Sequence, residues 1–290
     1  MTDTWGLVQG DAITPELTAM RLLGGGSSYE AFLAFDEITY GPVVAKVLRP
    51  NLIDSETSRN ALRRETDALT QLRHPVLVRG LREDLDGERP YVVMEHVEGP
   101  RLSTLIRRHG RLPEQQYLPL VLDLASALHY LRRSGWVHLD LKPSNLIMGS
   151  PARLIDLSVA RPTEAAAALR HEIGTDAYMA PEQCLPGERG EVGPASDVWA
   201  LGATLFHAVT GERPFPHGDP SAADRAERYP QLVSGAGDLP RRTPPEVVKV
   251  IEACLAPAAG DRPAPAEIAE TVSPALERLP RASLGGLRLG

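Results

Sequence analysis

The sequence predicts an α+β protein that folds as two lobes. Its 290 residues exceed the ~250 residues beyond which one hydrophobic core tends to divide. Short apolar runs at residues 43–46 and 91–94 are typical of strands. A longer apolar stripe at helical spacing follows, and its members are Leu118, Val121, Leu122, Ala125, Leu128 and Leu131. We therefore expect strands early in the chain and helices in the later part.

The early part also contains a glycine cluster, a strand with one charge and a helical pattern. Residues 23–31 read Leu-Gly-Gly-Gly-Ser-Ser-Tyr-Glu-Ala. Such clusters are usually turns, although glycine also lets backbone N–H groups approach phosphate oxygens. Lys46 is the single charge of its strand and would ordinarily be a solvated edge residue. Residues 54–72, capped by Asp54 or Ser55, form a helical pattern around Glu65, which alone would suggest surface pairs with neighbouring arginines.

The most informative stretch is residues 137–145, which read Val-His-Leu-Asp-Leu-Lys-Pro-Ser-Asn. It places Asp140, Lys142 and Asn145 within six residues, and Asp156 follows at the end of a short apolar strand. One carboxylate can accept a proton from a hydroxyl, while an ammonium can neutralise phosphate charge. An amide oxygen and a second carboxylate can hold a hard cation. Phosphoryl transfer needs this set because its catalysis is mostly positioning and charge stabilisation.

This stretch resembles the His-Arg-Asp-Leu-Lys-x-x-Asn catalytic loop of eukaryotic-like (Hanks-type) bacterial serine/threonine protein kinases. Residues 156–158, Asp-Leu-Ser, resemble the Asp-Phe-Gly metal-binding turn of that family. The other motifs of the family occur in its order: the glycine-rich loop at 23–31, the lysine strand at 43–46, the fifth strand and hinge at 91–99, the end of the activation segment at 174–182, the Asp-x-Trp-x-x-Gly helix at 197–202 and the Asp-Arg-Pro motif at 261–263. This order over most of the chain makes the resemblance specific.

The resemblance implies a bilobal protein-kinase fold. A small antiparallel-sheet N-lobe with one helix, the αC helix of the family, would precede a larger and mainly helical C-lobe. ATP would bind between the lobes. On this basis the chain divides into an N-terminal extension at residues 1–17, the N-lobe at 18–94, the C-lobe at 95–276 and a C-terminal tail at 277–290.

The resemblance also implies roles for individual residues. Asp140, Lys142 and Asn145 would be catalytic, and Asn145 together with Asp156 would hold Mg²⁺, with Mn²⁺ as an alternative. The residues expected at the nucleotide are Leu23, Gly24, Gly26, Ala31, Ala45, Lys46, Glu65, Met94, Glu95, Val97 and Ile147. Among these, Lys46 would pair with Glu65, and Met94 would be the gatekeeper. The substrate side and its support would be formed by Thr175, Glu182, Asp197 and Arg262, with Arg262 paired to Glu182.

The resemblance favours proteins as substrates. Lys142 and Thr175 are features of family members that phosphorylate serine and threonine. Small-molecule kinases of the aminoglycoside and choline type share the core of the catalytic loop but lack the motifs at 174–182 and 197–202, so they are a weaker alternative. The main alternative is a pseudokinase that binds ATP or acts as a scaffold. It is opposed by the presence of all six key residues, which are Lys46, Glu65, Asp140, Lys142, Asn145 and Asp156.

Departures from the family pattern favour the pseudokinase and bear on control. Ser158 replaces the glycine of the metal-binding turn, and Tyr29 replaces the third glycine of the nucleotide loop. Leu139 replaces the arginine that usually receives a phosphate on the activation loop, and leucine cannot bind phosphate. Thr163 is the only hydroxyl residue in residues 159–173. We therefore expect activity without phosphorylation of the activation loop.

Autophosphorylation, if present, would fall elsewhere. Ser283 lies in the short basic stretch Arg-Ala-Ser-Leu-Gly and is one candidate site. An exposed serine in a polar tail is the simpler interpretation of the same residue.

The composition argues against several other classes of protein. A formal net charge of −7 argues against general binding to nucleic acids or membrane surfaces. Cys184 and Cys254 form no disulfide framework or metal-ligand spacing, so we expect reduced thiols. The start of the chain lacks a basic and apolar leader, and no run approaches ~20 apolar residues. We expect a stand-alone cytoplasmic kinase domain whose partners are ATP and protein substrates; the sequence does not predict its oligomeric state.

Overall fold

The computed structural model describes residues 3–280. Its first lobe is built on a six-stranded antiparallel sheet with the strand order β1-β2-β3-β4-β6-β5. The strands are β1 (Ala12–Thr14), β2 (Leu17–Gly24), β3 (Tyr29–Asp36), β4 (Gly41–Leu48), β5 (Gly80–Asp84) and β6 (Tyr91–Glu95). One long helix, α1 (Glu56–Gln71), connects β4 to β5 and packs against the sheet.

The sheet forms because its strands alternate buried and partly exposed side chains. In β3, every second residue is buried, and Phe32 and Ala34 pack with Val43 and Val47 of β4 in one apolar cluster. The other set of side chains, which includes Ala31, points to the opposite face of the sheet. This alternation decides which residues of β3 and β4 can reach the cleft between the lobes.

Helix α1 carries a carboxylate on its buried face. The helix begins after Ser55, whose Oγ accepts a hydrogen bond from the N–H of Ser58 at 3.3 Å, so Ser55 is the cap. Leu62 and Leu69 bury the apolar face of α1, and Glu65 lies fully buried beside them.

The second lobe is mainly helical. Its helices are α2 (Leu102–His109), α3 (Glu114–Arg133), α4 (Thr163–Ala167), α5 (Pro181–Cys184), α6 (Pro194–Thr210), α7 (Arg225–Arg228), α8 (Pro245–Cys254) and α9 (Pro265–Glu277). Two antiparallel pairs of short strands join them: β7 (Trp136–Val137) with β10 (Arg161–Pro162), and β8 (Leu146–Ile147) with β9 (Arg153–Leu154). The predicted apolar stripe falls on α3 and belongs to the large core cluster, with Leu122 only partly buried.

The predicted α+β bilobal fold is confirmed. The segment predicted as an N-terminal extension, residues 1–17, contains β1, in which Ala12 pairs with Thr18 of β2. A strand of three residues is too short to give a periodic signal in the sequence. The segment boundaries stay predictions, and Ser283 lies outside the described residues.

Two further expectations concern membrane spans and cysteines. Within residues 3–280, no helix is both long enough and apolar enough to cross a membrane. Cys184 and Cys254 are buried free thiols. Burial raises the pKa of Cys254 to about 12, which makes this thiol a poor nucleophile at neutral pH.

Candidate active site

A cleft of about 730 Å³ lies between the sheet and the helical lobe. Nine of the residues predicted to contact a nucleotide line it: Leu23, Gly24, Gly26, Ala31, Lys46, Met94, Glu95, Val97 and Ile147. Asn145 and Asp156, the predicted metal ligands, line the same cleft. The fold therefore brings residues from both lobes into one cavity.

Ala45 does not line this cleft, which corrects one predicted contact. Its side chain is fully buried in the apolar cluster that contains Phe32 and Val43. Because side chains alternate along β4, Val44 shares the face of Lys46 and lines the cleft instead. The period of two in this strand was the signal that distinguishes the two positions. Val78 and Ile155 also line the cleft, and no local pattern in the sequence indicates them.

The three glycines of the nucleotide loop differ in the structural reason for glycine at each position. Gly24 has a φ of +143°, which side chains of other residues rarely allow. A Cβ atom on Gly25 would lie 2.4 Å from the backbone oxygen of Tyr29, so this position is sterically restricted to glycine. A Cβ atom on Gly26 would meet nothing within 4 Å. Gly25 is therefore a structural requirement that the sequence motif did not single out, whereas the structure shows no steric requirement for glycine at position 26.

Lys46 lies at the centre of a charge cluster in the cleft. Its Nζ is 2.7 Å from Glu65 Oε1 and 3.3 Å from Asp156 Oδ1. Glu65 therefore pairs with Lys46 across the lobe rather than with its neighbours Arg63 and Arg64. Burial alone would lower the pKa of Lys46, but the two carboxylates outweigh it and raise this pKa above its ordinary value. The ammonium thus stays charged where phosphate oxygens would approach.

Asp156 remains ionised in the same cluster. Burial opposes its charge, but Lys46 and the hydrogen bonds of Ser158 outweigh burial and lower the pKa of Asp156 to about 2. The N–H of Ser158 donates to Asp156 Oδ1 at 3.1 Å. Within residues 3–280, the non-glycine residues with positive φ are Tyr40 and Leu139, so Ser158 forms this turn without the freedom of glycine.

Tyr29 covers Lys46 from the side of the nucleotide loop. The Nζ of Lys46 lies 4.8 Å from the centroid of the Tyr29 ring, within the range of a cation–π contact. Burial is the main cause that raises the pKa of Tyr29 to about 12, so its hydroxyl is neutral at physiological pH. An aromatic face therefore lies against the ammonium where the family pattern has its third glycine.

Asp140 is the centre of a second charge cluster, at the start of the loop between β7 and β8. Its Oδ2 accepts hydrogen bonds from Lys142 Nζ at 2.7 Å and from Asn145 Nδ2 at 3.1 Å. Its Oδ1 accepts a hydrogen bond from Thr175 Oγ1 at 2.6 Å, and Lys142 Nζ also reaches this hydroxyl at 2.5 Å. A base, an ammonium and an amide thus converge on one point, where a hydroxyl proton could be accepted and phosphate charge offset.

A buried carboxylate fixes the backbone of this loop. Asp197, in the first turn of α6, accepts hydrogen bonds from the N–H groups of His138 and Leu139, each at 2.7 Å. Leu139 has a φ of +65°, which is unfavourable for leucine. The two charge-assisted hydrogen bonds offset that strain and set the direction of the following residue, Asp140.

The residues present fit a hard cation in combination with phosphate. Among the described residues, no group of three or more His, Cys, Asp or Glu side chains is arranged to hold a metal by itself. Asn145 turns its amide nitrogen toward Asp140, whose backbone oxygen lies at 3.0 Å, so its amide oxygen is the atom that can face a cation. Oxygen atoms of Asn145 and Asp156 suit Mg²⁺, which usually completes its shell with water and substrate phosphates.

The hinge between the lobes is fixed by Glu95. Its carboxylate accepts the N–H of Arg79 at 2.7 Å and pairs with Arg153 of β9. The N–H of Glu95 in turn donates to the backbone oxygen of Arg79 at 3.0 Å. Glu95 can therefore offer an adenine ring its carbonyl oxygen, whereas its N–H and carboxylate are engaged elsewhere.

Glu182 and Arg262 form a buried bidentate ion pair, the pair that the resemblance implies. Arg262 Nη1 and Nη2 lie 2.6 and 2.9 Å from the two carboxylate oxygens, and both side chains are 0% exposed. Ser196 Oγ donates to the same carboxylate at 2.7 Å. The pair ties the end of the segment that follows Asp156 to the turn that precedes α9.

Known proteins match most of this chain. The protein kinase domain family matches residues 17–272. The serine/threonine-protein kinase PknB of Mycobacterium leprae (strain TN) is 34% identical over 204 aligned residues, and the match covers 67% of this chain and 32% of that protein. PknB of Mycolicibacterium smegmatis (strain ATCC 700084 / mc(2)155) is 33% identical over 217 aligned residues, and the match covers 70% of this chain and 33% of that protein. The chain spans about a third of the length of these relatives.

Proposed function

We propose that this chain, which belongs to the protein kinase family, transfers the γ-phosphoryl group of Mg-ATP to serine or threonine hydroxyls of proteins. The assignment to the Hanks-type serine/threonine protein kinases is confirmed by the family match and by the named relatives. The transfer reaction, the roles of individual residues, the protein substrates and a cytoplasmic location are proposals for this chain.

The arrangement of Asp140, Lys142 and Thr175 is the observation that supports this reaction best. Asp140 carries a carboxylate that can orient the acceptor hydroxyl and take its proton late in the transfer. Lys142, 2.7 Å from Asp140, places its positive charge where the transferring phosphoryl group would lie. Thr175 links the two through its hydroxyl, so the platform for an acceptor peptide and the catalytic base share one hydrogen-bond network.

The other side of the cleft supplies nucleotide binding. Lys46, held by Glu65, would contact the α and β phosphates, and the carbonyl of Glu95 would meet the adenine edge. Bound Mg²⁺, held by Asn145 and Asp156, would offset the charge of the phosphates. The depressed pKa of Asp156 keeps its carboxylate ionised for this purpose throughout the physiological range.

The decisive experiment is label transfer from ATP to a generic basic protein. Asp140→Asn should lower kcat by at least about two orders of magnitude, the loss expected for a general base. Its Kd for Mg-ATP, measured by calorimetry, should barely change because Asp140 does not line the nucleotide cleft. Asp219→Asn, an isosteric change in an exposed turn of the same lobe, is the matched control and should leave kcat intact. Retention of most turnover in Asp140→Asn would show that the base is assigned wrongly.

We further propose that phosphorylation of the activation segment is not needed. Leu139 belongs to an apolar cluster with Val137, Ala166, Leu169 and Val192, here called the docking cluster. Ala166 and Leu169 belong to the activation segment, so the segment packs on the position where the family usually has a phosphate-binding arginine. Apolar burial then supports its position without a charged modification.

An ATP-binding scaffold is the alternative, and Tyr29 is the observation that favours it. Its ring lies beside the Lys46 ammonium and lines the same cleft, so it takes space that phosphates would need. Binding of Mg-ATP by the wild-type protein, without transfer in either Mg²⁺ or Mn²⁺, would establish this alternative.

A further inference from the structure

Arg49, directly after β4, is a buried arginine whose partners are backbone oxygens. The residue is 8% exposed, and within residues 3–280 it forms no ion pair. Its Nε donates to the oxygen of Gly26 at 3.0 Å and its Nη1 to the oxygen of Asp3 at 3.1 Å. Its backbone N–H donates to the oxygen of Ser28 at 3.0 Å. Because a buried charge is unfavourable unless it is hydrogen-bonded, these contacts fix the guanidinium and the nucleotide loop together.

Residues 3–8, here called the N-terminal strap, lie against β3, which follows the nucleotide loop, and against the end of β4, which pairs with β3 in the sheet. Trp5 anchors the strap: its N–H donates to Glu30 Oε2 at 2.9 Å and its Nε1 donates to the backbone oxygen of Leu48 at 2.8 Å. The guanidinium of Arg89 covers the indole ring at 4.7 Å. Glu30 belongs to β3 and Leu48 to β4, so the strap is fastened to the two paired strands that follow the loop.

The guanidinium also lies against the most restricted residue of the loop. A Cβ atom on Gly25 would lie 3.3 Å from Arg49 Nη2 and 2.4 Å from the oxygen of Tyr29. Gly25 is therefore confined between the arginine and the start of β3. The N–H groups of this loop are the ones that could face phosphates, whereas its carbonyl oxygens at Gly26 and Ser28 face Arg49. A change at Arg49 would thus move the part of the site that meets phosphate and leave the hinge unaltered.

We propose that Arg49 and the N-terminal strap hold the nucleotide loop over the phosphates of the bound nucleotide. Arg49 is a positioning residue: it does not line the cleft and acts through the backbone of the loop. The inference rests on the proposed nucleotide site. It requires binding only, so it can be tested without turnover.

The test compares a nucleotide with a nucleoside. Arg49→Met removes the guanidinium and leaves an unbranched apolar side chain. In this variant the Kd for Mg-ATP should rise about tenfold, equivalent to ~1.4 kcal/mol. The Kd for adenosine, which has no phosphates, should stay within about twofold of the wild-type value. A similar loss of affinity for ATP and for adenosine would instead require damage to the hinge. Arg49→Lys should not restore ATP binding, since one ammonium lacks the fork that reaches two separate carbonyl oxygens. Trp5→Leu, which removes the Nε1–H donor, should weaken ATP binding about threefold, as expected for one hydrogen bond.

Arg59→Met is the matched control. Arg59 also donates to a backbone oxygen of the same lobe, that of Leu85 at 2.8 Å, but on α1 and away from the loop. It should leave both Kd values within about twofold. Equal weakening of ATP and adenosine in Arg49→Met would overturn the proposal, and so would unchanged ATP binding in that variant. If Arg49→Met fails to fold, the same comparison in Trp5→Leu decides. Absence of phosphoryl transfer by the wild-type protein would overturn the proposed activity but not this inference.

Discussion

The nucleotide loop and the activation segment both border the cleft, and they differ in how much apolar and ionic burial supports them. The loop is held by hydrogen bonds between Arg49 and the backbone oxygens of Gly26 and Ser28. The activation segment, residues 156–182, also makes hydrogen bonds, through β10 and Thr175, but it is held in addition by the docking cluster in its middle and by the ion pair of Glu182 at its end.

This difference predicts different behaviour of the two loops. Gly26 is exposed, so its backbone oxygen can exchange the hydrogen bond from Arg49 for one with water when the loop moves. A buried leucine has no such exchange and contributes about 1.5–3 kcal/mol relative to exposure. We therefore expect the nucleotide loop to adjust when a nucleotide enters, and the activation segment to stay docked whether or not it is phosphorylated.

The largest effect should follow from breaking the ion pair at the end of the activation segment. Arg262→Met leaves the Glu182 carboxylate buried without its partner, which should lower the free energy of unfolding by about 3–5 kcal/mol. Urea denaturation followed by circular dichroism measures this loss. Arg278→Met is the control, because Arg278 pairs with Glu246 at 2.8 Å on the surface and its side chain is 58% exposed. Its loss should stay below about 1 kcal/mol. Similar losses in the two variants would mean that Glu182 is not held as the structure indicates.

A smaller and more local effect should follow from removing side-chain volume from the docking cluster. Leu169→Ala removes most of a side chain that is 6% exposed and should lower the free energy of unfolding by about 2 kcal/mol. Undocking of the segment should also lower kcat about tenfold, or ~1.4 kcal/mol, while the Kd for Mg-ATP is unchanged. Leu169→Ala should also accelerate hydrogen exchange in residues 159–173. Leu112→Ala is the control, because Leu112 is a similarly buried leucine of the main core. It should destabilise the fold to a similar degree but leave hydrogen exchange in residues 159–173 unchanged. Equal exchange in the two variants would show that the cluster does not hold the segment.

The sequence predicts those parts of the site in which the chemistry dictates the residue type. Asp140, Lys142 and Thr175 meet in one network, and Lys46 meets Glu65, because a phosphate site requires these groups in a fixed spatial order. The prediction that Ala45 contacts the nucleotide was wrong for a simple reason. A motif gives residue types along the chain, whereas the period of two in a strand decides which side chain faces the cleft.

The contacts that support the two loops could not be predicted in the same way. Arg49 meets Gly26 and Asp3, which are 23 and 46 positions away along the chain, and it does so through backbone oxygens that every residue possesses. No pattern of residue types encodes such contacts. Leu139 is a similar case. The sequence shows that leucine replaces the arginine of the family pattern, but only the fold shows that Ala166 and Leu169 pack with this leucine in one cluster.

The smallest effect should come from replacing Thr163. An activation segment that stays docked without phosphate would distinguish it most clearly from the nucleotide loop. Thr163 begins α4, its N–H donates to the backbone oxygen of Gly135 at 2.8 Å, and the segment is already docked through the neighbouring Ala166. Leu139 offers no charge to a phosphate on Thr163. We therefore expect Thr163→Ala and wild type, each assayed with and without prior phosphatase treatment, to transfer label at rates within about twofold of one another. A large loss in Thr163→Ala, or a large loss on dephosphorylation of the wild type alone, would show that the segment depends on phosphate after all. Equal rates in all four samples would mean that the docking cluster and the buried ion pair keep the activation segment in place without phosphate, in contrast to the hydrogen-bonded nucleotide loop above it.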